Sequence, residues 1–182
     1  MKPIHLTLIS HALTEAQRAG RFHVPEDSLR PDALAVPFSG GETQARILCA
    51  PEQRTRQTAL SFAAEVQVDE GLRDCDFGRW AGVSLKELQA REPEALTEWL
   101  ADPASTPHGG ESVAQLYQRA SDWLAQQREP GTWIAVTHPF MLRVVMLRIL
   151  DAPLSSFHRI DVSPMAKLHL SFSGLWRLRL DG

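Results

Sequence analysis

Ile4-His5-Leu6-Thr7-Leu8-Ile9 runs directly into Ser10-His11-Ala12-Leu13-Thr14. The first six residues are apolar and β-rich, which reads as a buried strand. A strand that ends in a small residue, a His and another small residue fixes the backbone and leaves room for a ligand beside the imidazole. Trp133-Ile134-Ala135-Val136-Thr137-His138 has the same layout and leads into a helical stretch from Phe140 to Leu150. Two strands ending in His place two imidazoles at the carboxyl edge of one sheet, where open α/β folds bind ligands. The alternative is two ordinary strand-end histidines, and spacing by itself does not separate the two.

The 182 residues suffice for one domain, 1–182, with a sizeable core. A formal net charge of −3 without a long basic run argues against nucleic acid as a partner. Cys49 and Cys75 have no metal-ligand spacing and read as small core thiols, which suits a reducing, cytoplasmic setting. The first twelve residues are too polar and too short in apolar run for a signal peptide. No stretch approaches the ~18 apolar residues of a membrane span. Oligomeric state is not legible.

Thr14 to Phe22 reads as a short helix or a loop, and the proline-bearing stretch His23 to Gly41, ending Ser39-Gly40-Gly41, as irregular. Arg46 to Ala50 is a strand stopped by Pro51, and Gln53 to Glu65 a helix with Arg54 near its amino end. That end favours an anion through its free N–H groups and dipole. Val66-Gln67-Val68 is a short strand. Gly71 to Gly78 is a charged loop, and Ser84 with Glu87 forms a capping box opening a helix to about Arg91. A second helix runs from Pro93 to Leu100. After His108-Gly109-Gly110-Glu111-Ser112 comes an amphipathic helix with Val113, Leu116, Tyr117, Ala120 and Leu124 on one side. The tail, Leu168 to Phe172, Ser173-Gly174, then Leu175 to Leu180, is a hairpin. The alternation predicts an α/β fold with a mixed sheet.

Five blocks in order resemble the histidine phosphatase superfamily, in its phosphoglycerate mutase-like branch. They are Ser10-His11-Ala12-Leu13-Thr14, Arg54-Thr55-Arg56-Gln57-Thr58-Ala59, Leu72 to Gly78 with Trp80 and Gly82, Gly109 to Ser112, and Thr137-His138. The resemblance implies a three-layer α/β/α sandwich with a mixed, mostly parallel sheet and a C-terminal β-hairpin. It also implies phosphoryl transfer through a phosphohistidine on His11, without metal or other cofactor. His138 and Arg54 would surround the phosphoryl oxygens, with Ser10, Gln17 and Arg21 completing the phosphate pocket. Asp74 would protonate the leaving alcohol and then activate water.

The chain departs from the family pattern at that pocket. Ser10 stands where the family has Arg, and serine offers one neutral donor where a guanidinium offers two charge-assisted ones. At ~1.5–3 kcal/mol per charged hydrogen bond, the loss amounts to roughly ten- to several-hundred-fold in rate. Arg18 and Arg21 are the candidates to replace it. Ala12 stands for Gly, Gln17 for Asn, Asp74 for Glu, and Pro139 for Gly, removing one N–H. His5, His23, His108, His158 and His169 read as structural or surface residues, with His108 set apart by its place beside the Gly-Gly loop. Trp80 and Trp133 read as core. The expectation is a phosphatase acting on a small phosphorylated metabolite, since family mutases are longer. The alternative is a pseudophosphatase kept as a phosphate-ester or partner-binding module; a compensating guanidinium within reach of His11 would favour the enzyme, and an empty or apolar pocket wall there the binding module.

Overall fold

The computed structural model describes residues 2–34, 45–127 and 129–180. Its centre is a six-stranded sheet of order β3-β2-β4-β1-β5-β6. The strands are β1 (Ile4–Ser10), β2 (Arg46–Cys49), β3 (Gln67–Val68), β4 (Gly131–Thr137), β5 (Lys167–Phe172) and β6 (Trp176–Arg179). The first four in the order run parallel, while β5 joins β1 antiparallel and turns back as β6. The sheet is therefore mixed and ends in the expected hairpin.

Both faces are covered. Leu6, Leu8, Leu48, Ala135, Leu168 and Leu170 enter one apolar cluster with α5 (Val113–Gln126) and α6 (Pro139–Leu150). Ile9, Cys49, Ile134 and Val136 enter a second with Ala59 of α2 (Gln53–Leu60). Alternate side chains of a strand point to opposite faces, so β1 and β4 supply both clusters. That burial makes their register unambiguous, because a one-residue slip would exchange the two faces. Ser10 therefore pairs with Thr137, and the residues that follow, His11 and His138, leave the sheet side by side.

The shorter elements resolve several open points. Thr14 caps a single turn, α1 (Glu15–Arg18), by accepting the Gln17 N–H. The capping box at Ser84 opens α3 (Leu85–Arg91), and α4 (Pro93–Ala101) follows. The helix expected to reach Glu65 stops at Leu60: the Ser61 hydroxyl and the Ser61 N–H both bond the Thr58 carbonyl, closing the last turn early. Trp80 is fully buried, whereas Trp133 is only half-buried, under the Arg46 guanidinium. Residues 23–34 carry no helix or strand beyond an isolated bridge, and Ser39-Gly40-Gly41 lies outside the described residues. Among the described residues, no helix is long and apolar enough to cross a membrane.

Candidate active site

His11 follows β1 directly and is completely buried. Its Nδ1 lies 2.8 Å from the Ala12 carbonyl. A carbonyl only accepts, so Nδ1 carries the hydrogen and Nε2 presents its lone pair. That Nε2 is buried without a hydrogen-bond partner. The backbone around the ring is held on two sides. The His11 N–H donates to the Thr137 carbonyl at the end of β4 (2.9 Å), and the Ala12 N–H donates to Thr58 Oγ1 on α2 (3.0 Å). Burial, then the adjacent His138 and Arg54, push the His11 imidazole well below its ordinary pKa. The ring is neutral at physiological pH, with the lone pair of Nε2 unengaged.

His138 caps α6, with Pro139 in the first helical position, and its ring centre is 5.5 Å from that of His11. Its environment is acidic. Nε2 lies 2.8 Å from Glu52 Oε2, and Nδ1 lies 3.3 Å from Asp74 Oδ2 without hydrogen-bond alignment. Glu52 precedes α2 and uses its other oxygen to accept the Asp74 N–H (2.9 Å), so one carboxylate positions both an imidazole and the acid loop. Arg54, almost fully buried, donates from Nη2 to Asp74 Oδ2 (2.6 Å) and from Nη1 to the Val24 carbonyl (3.0 Å). Its Nε has no partner. Burial alone would raise the Asp74 carboxyl, but His138, Arg54, His23 and His11 outweigh it and hold it well below the usual range.

The loop carrying Asp74 is braced from behind. Arg119 of α5 grips Glu111 with two nitrogens (2.8 and 2.7 Å) and reaches the carbonyls of Gly71, Arg73 and Asp74. Farther along, this loop interlocks with the Gly-Gly segment: the Arg79 N–H bonds the His108 carbonyl (3.0 Å), and the Glu111 N–H bonds that of Asp76 (2.7 Å). Gly78 has φ +47°, and a Cβ there would collide with the His108 carbonyl. A Cβ on Gly110 would collide with that of Asp76. His108 is buried and accepts the Gly110 N–H at Nδ1, which makes it the organiser of this segment.

Of the other expected residues, Ser10 is buried with its hydroxyl unpartnered, and Gln17 has an unpartnered Oε1 and lines the cavity in front of Asp74. Arg21 lines the same cavity, but its guanidinium is bonded to Asp27 (2.6 Å). Arg18 is exposed and pairs with Glu15. Neither arginine occupies the place left by Ser10. Arg54 is the guanidinium that acts on His11.

Two participants escape a reading of the sequence. Glu52 is one. His23, read as structural or surface, is the other: its ring stands edge-on to His11 with centres 5.1 Å apart, and its Nε2 lies 2.8 Å from Thr14 Oγ1. Burial, then Arg54, lower His23 to about 4, so it is neutral too. His158 likewise lines the cavity. The cues were faint, a His within an irregular segment and a Glu just ahead of a helix.

Solved structures share this architecture. A mycobacterial glucosyl-3-phosphoglycerate phosphatase aligns over 97% of this chain and 97% of its own with a TM-score of 0.81 at 22% identity. The α-ribazole phosphatase of Shigella flexneri covers 97% and 95% with a TM-score of 0.82 at 20% identity. Among curated proteins, a bifunctional protein of Mycobacterium tuberculosis is 30% identical over 176 residues, taking in 88% of this chain and 48% of that protein. The chain thus spans about half the length of the first curated relatives it matches. Phosphoserine phosphatase 1 of Hydrogenobacter thermophilus is 28% identical, over 85% of this chain and 80% of its own. The family model for the histidine phosphatase superfamily, branch 1, matches residues 6–175. The chain belongs to the histidine phosphatase superfamily.

Proposed function

We propose that this chain is a metal-independent phosphomonoesterase that works through a phosphohistidine on His11. The observation that carries the reading is the state of His11: neutral, fixed in one tautomer by Ala12, with a free Nε2 beside Arg54 and His138. In the first step Nε2 attacks phosphorus and the P–O bond to the alcohol breaks. The Asp74 carboxyl gives its proton to the departing oxygen. In the second, Asp74 takes a proton from water, whose oxygen displaces His11 and releases inorganic phosphate. Arg54 and His138 hold the equatorial oxygens, where charge builds up.

Asp74 is ionised in the free protein, and the same contacts explain how it acquires a proton. A phosphate dianion that takes over Arg54 and His138 removes the two largest influences lowering the Asp74 pKa and adds negative charge beside it. Substrate binding itself thereby protonates the acid. The names of the relatives support a small phosphomonoester as substrate: phosphoserine for one, glucosyl-3-phosphoglycerate for another.

Ser10 favours a second reading, a phosphate-ester-binding module without turnover, because Arg18 and Arg21 are engaged elsewhere. Hydrolysis of phenyl phosphate in the presence of a chelator separates the two. We expect wild-type turnover, an acid-labile phosphohistidine trapped on quenching, and loss of turnover in His11→Ala on the order of 10⁴-fold or more. Absence of turnover in wild type, with gain in Ser10→Arg, supports the binding module. Turnover that survives His11→Ala removes the phosphohistidine mechanism.

A further inference from the structure

The cavity in front of Asp74 has a volume of about 310 Å³ and is walled in part by aromatic side chains, among them Phe77, Trp99 and Phe140. Asp74 and His23 stand among its lining residues, and so does Arg143 of α6. Arg143 is half-buried and held by two rings, its guanidinium carbon 5.1 Å from the centre of Phe140 and 5.4 Å from that of Phe157. It forms no hydrogen bond or ion pair among the described residues, and its Nε is buried without a partner. Asp161 is the carboxylate that acts on it, at a distance, and does not offset the burial that lowers its pKa. A desolvated guanidinium is costly unless an anion meets it. Every other arginine at this site already has one: Arg54 has Asp74, Arg21 has Asp27, and Arg119 has Glu111.

From this we infer that Arg143 is a specificity residue that receives a second anionic group, a carboxylate or a further phosphate, on the alcohol portion of the substrate. The inference rests on the phosphatase reading for the place of the first phosphate, at His11. His138 caps the helix that bears Arg143 five residues later, about 7.5 Å farther along its axis at 1.5 Å per residue. Along the backbone, that offset leaves length for more than a single bond between the two anions. The aromatic side chains of the cavity suit an apolar or ring-shaped body, and Arg143, with its donors in a fixed fork, suits an oxyanion.

Binding to the His11→Ala protein tests the subsite without turnover. Calorimetry compares phenyl phosphate with 4-carboxyphenyl phosphate and with 1,4-phenylene bisphosphate. We expect one of the two dianchored esters to bind roughly tenfold or more tightly than phenyl phosphate, and the tighter one names the anion. In the double variant with Arg143→Gln that ratio falls toward one, and Arg143→Lys restores part of it. The ratio is the readout because misfolding lowers all three affinities together. Equal affinities in the His11→Ala protein overturn the subsite even if wild type hydrolyses phenyl phosphate. A preserved ratio in Arg143→Gln overturns the assignment to Arg143. Failure of wild type to hydrolyse phenyl phosphate strikes the phosphatase reading, while the ratio still decides for or against the subsite.

Discussion

His11 and His138 leave neighbouring parallel strands at the same level, each after a small hydroxyl residue, yet their surroundings are opposite. His11 is tied by one nitrogen to its neighbour's carbonyl and keeps the other free. His138 faces two carboxylates, Glu52 and Asp74. The contrast extends one residue back: Thr137 donates to the Leu72 carbonyl (2.7 Å), while the Ser10 hydroxyl has no partner. Matching strand ends thus acquire a free ring nitrogen on one side and an imidazole set against two carboxylates on the other. The difference is made by what α2 and the acid loop bring to each.

The comparison breaks most completely at Asp74, which lies against His138 and acts on His11 through its charge. Asp74→Asn keeps the shape but removes the proton, and should slow hydrolysis of alkyl phosphates by about 10²–10⁴-fold. The loss should be much smaller for 4-nitrophenyl phosphate, whose leaving group needs no acid. Equal losses for both esters would place Asp74 outside proton transfer.

A pH titration sharpens the His11 side. His23 has a folded pKa of about 4 against an ordinary 6.5, so between those values the unfolded chain binds a proton that the native protein refuses. Stability should therefore fall as pH drops from 6.5 to 4, by about 3 kcal/mol from His23 alone, and this contribution should level off below 4. His23→Gln should flatten that limb in urea denaturation at stepped pH. An unchanged slope would show that His23 is already protonated in the fold. His11, lowered in the same direction, adds to the slope and remains in the variant.

Glu52→Gln tests the other imidazole. The amide has one accepting oxygen where the carboxylate uses two, so it keeps either His138 or the Asp74 N–H but not both, and kcat/KM should drop about tenfold or more. A positioning role shows itself as a displaced pH profile for kcat/KM, while a purely structural loss lowers Tm and leaves the profile in place. The smallest effects come one residue before each His. Thr137→Val strands the Leu72 carbonyl and should cost about 1–3 kcal/mol, whereas Ser10→Ala should be neutral to within about 1 kcal/mol. Comparable costs at both positions would show that Ser10 Oγ is bonded in solution.

What the sequence makes legible follows from range. The strands holding Leu6, Leu8, Ala135 and Val136 are buried on both faces and read as apolar runs. The Ser84–Glu87 and Ser112 caps are local, and so is the hairpin turn at Ser173-Gly174. Glu52 acquires its role only when the end of β4, the amino end of α2 and the acid loop meet, residues 52, 74 and 138, and no local pattern encodes that meeting. His23 belongs to a segment without periodicity, so its approach to His11 left no trace. Arg21 was legible as a basic residue at the right spacing, but Asp27, six residues on, takes the guanidinium. Arg143 is one of two charges, with Arg148, in the apolar stretch Phe140 to Leu150, and no local pattern sets it apart. Its significance appears only where Phe157 arrives from a different part of the chain.

The interlock at Gly78 and Gly110 has a consequence for anyone wishing to redirect this scaffold. Each glycine is required by a carbonyl on the opposite loop, so the two positions are jointly constrained, and no single side chain can be introduced at either without moving both backbones. A library that varies the cavity wall at Leu100 or Val162 leaves the frame in place, whereas Trp99 lines the same cavity but is buried in the core. A library that varies residues 78 or 110 instead shifts the segment from which Asp74 is delivered. The residues that would select a leaving group and those that hold the Asp74 loop in place are thus separate.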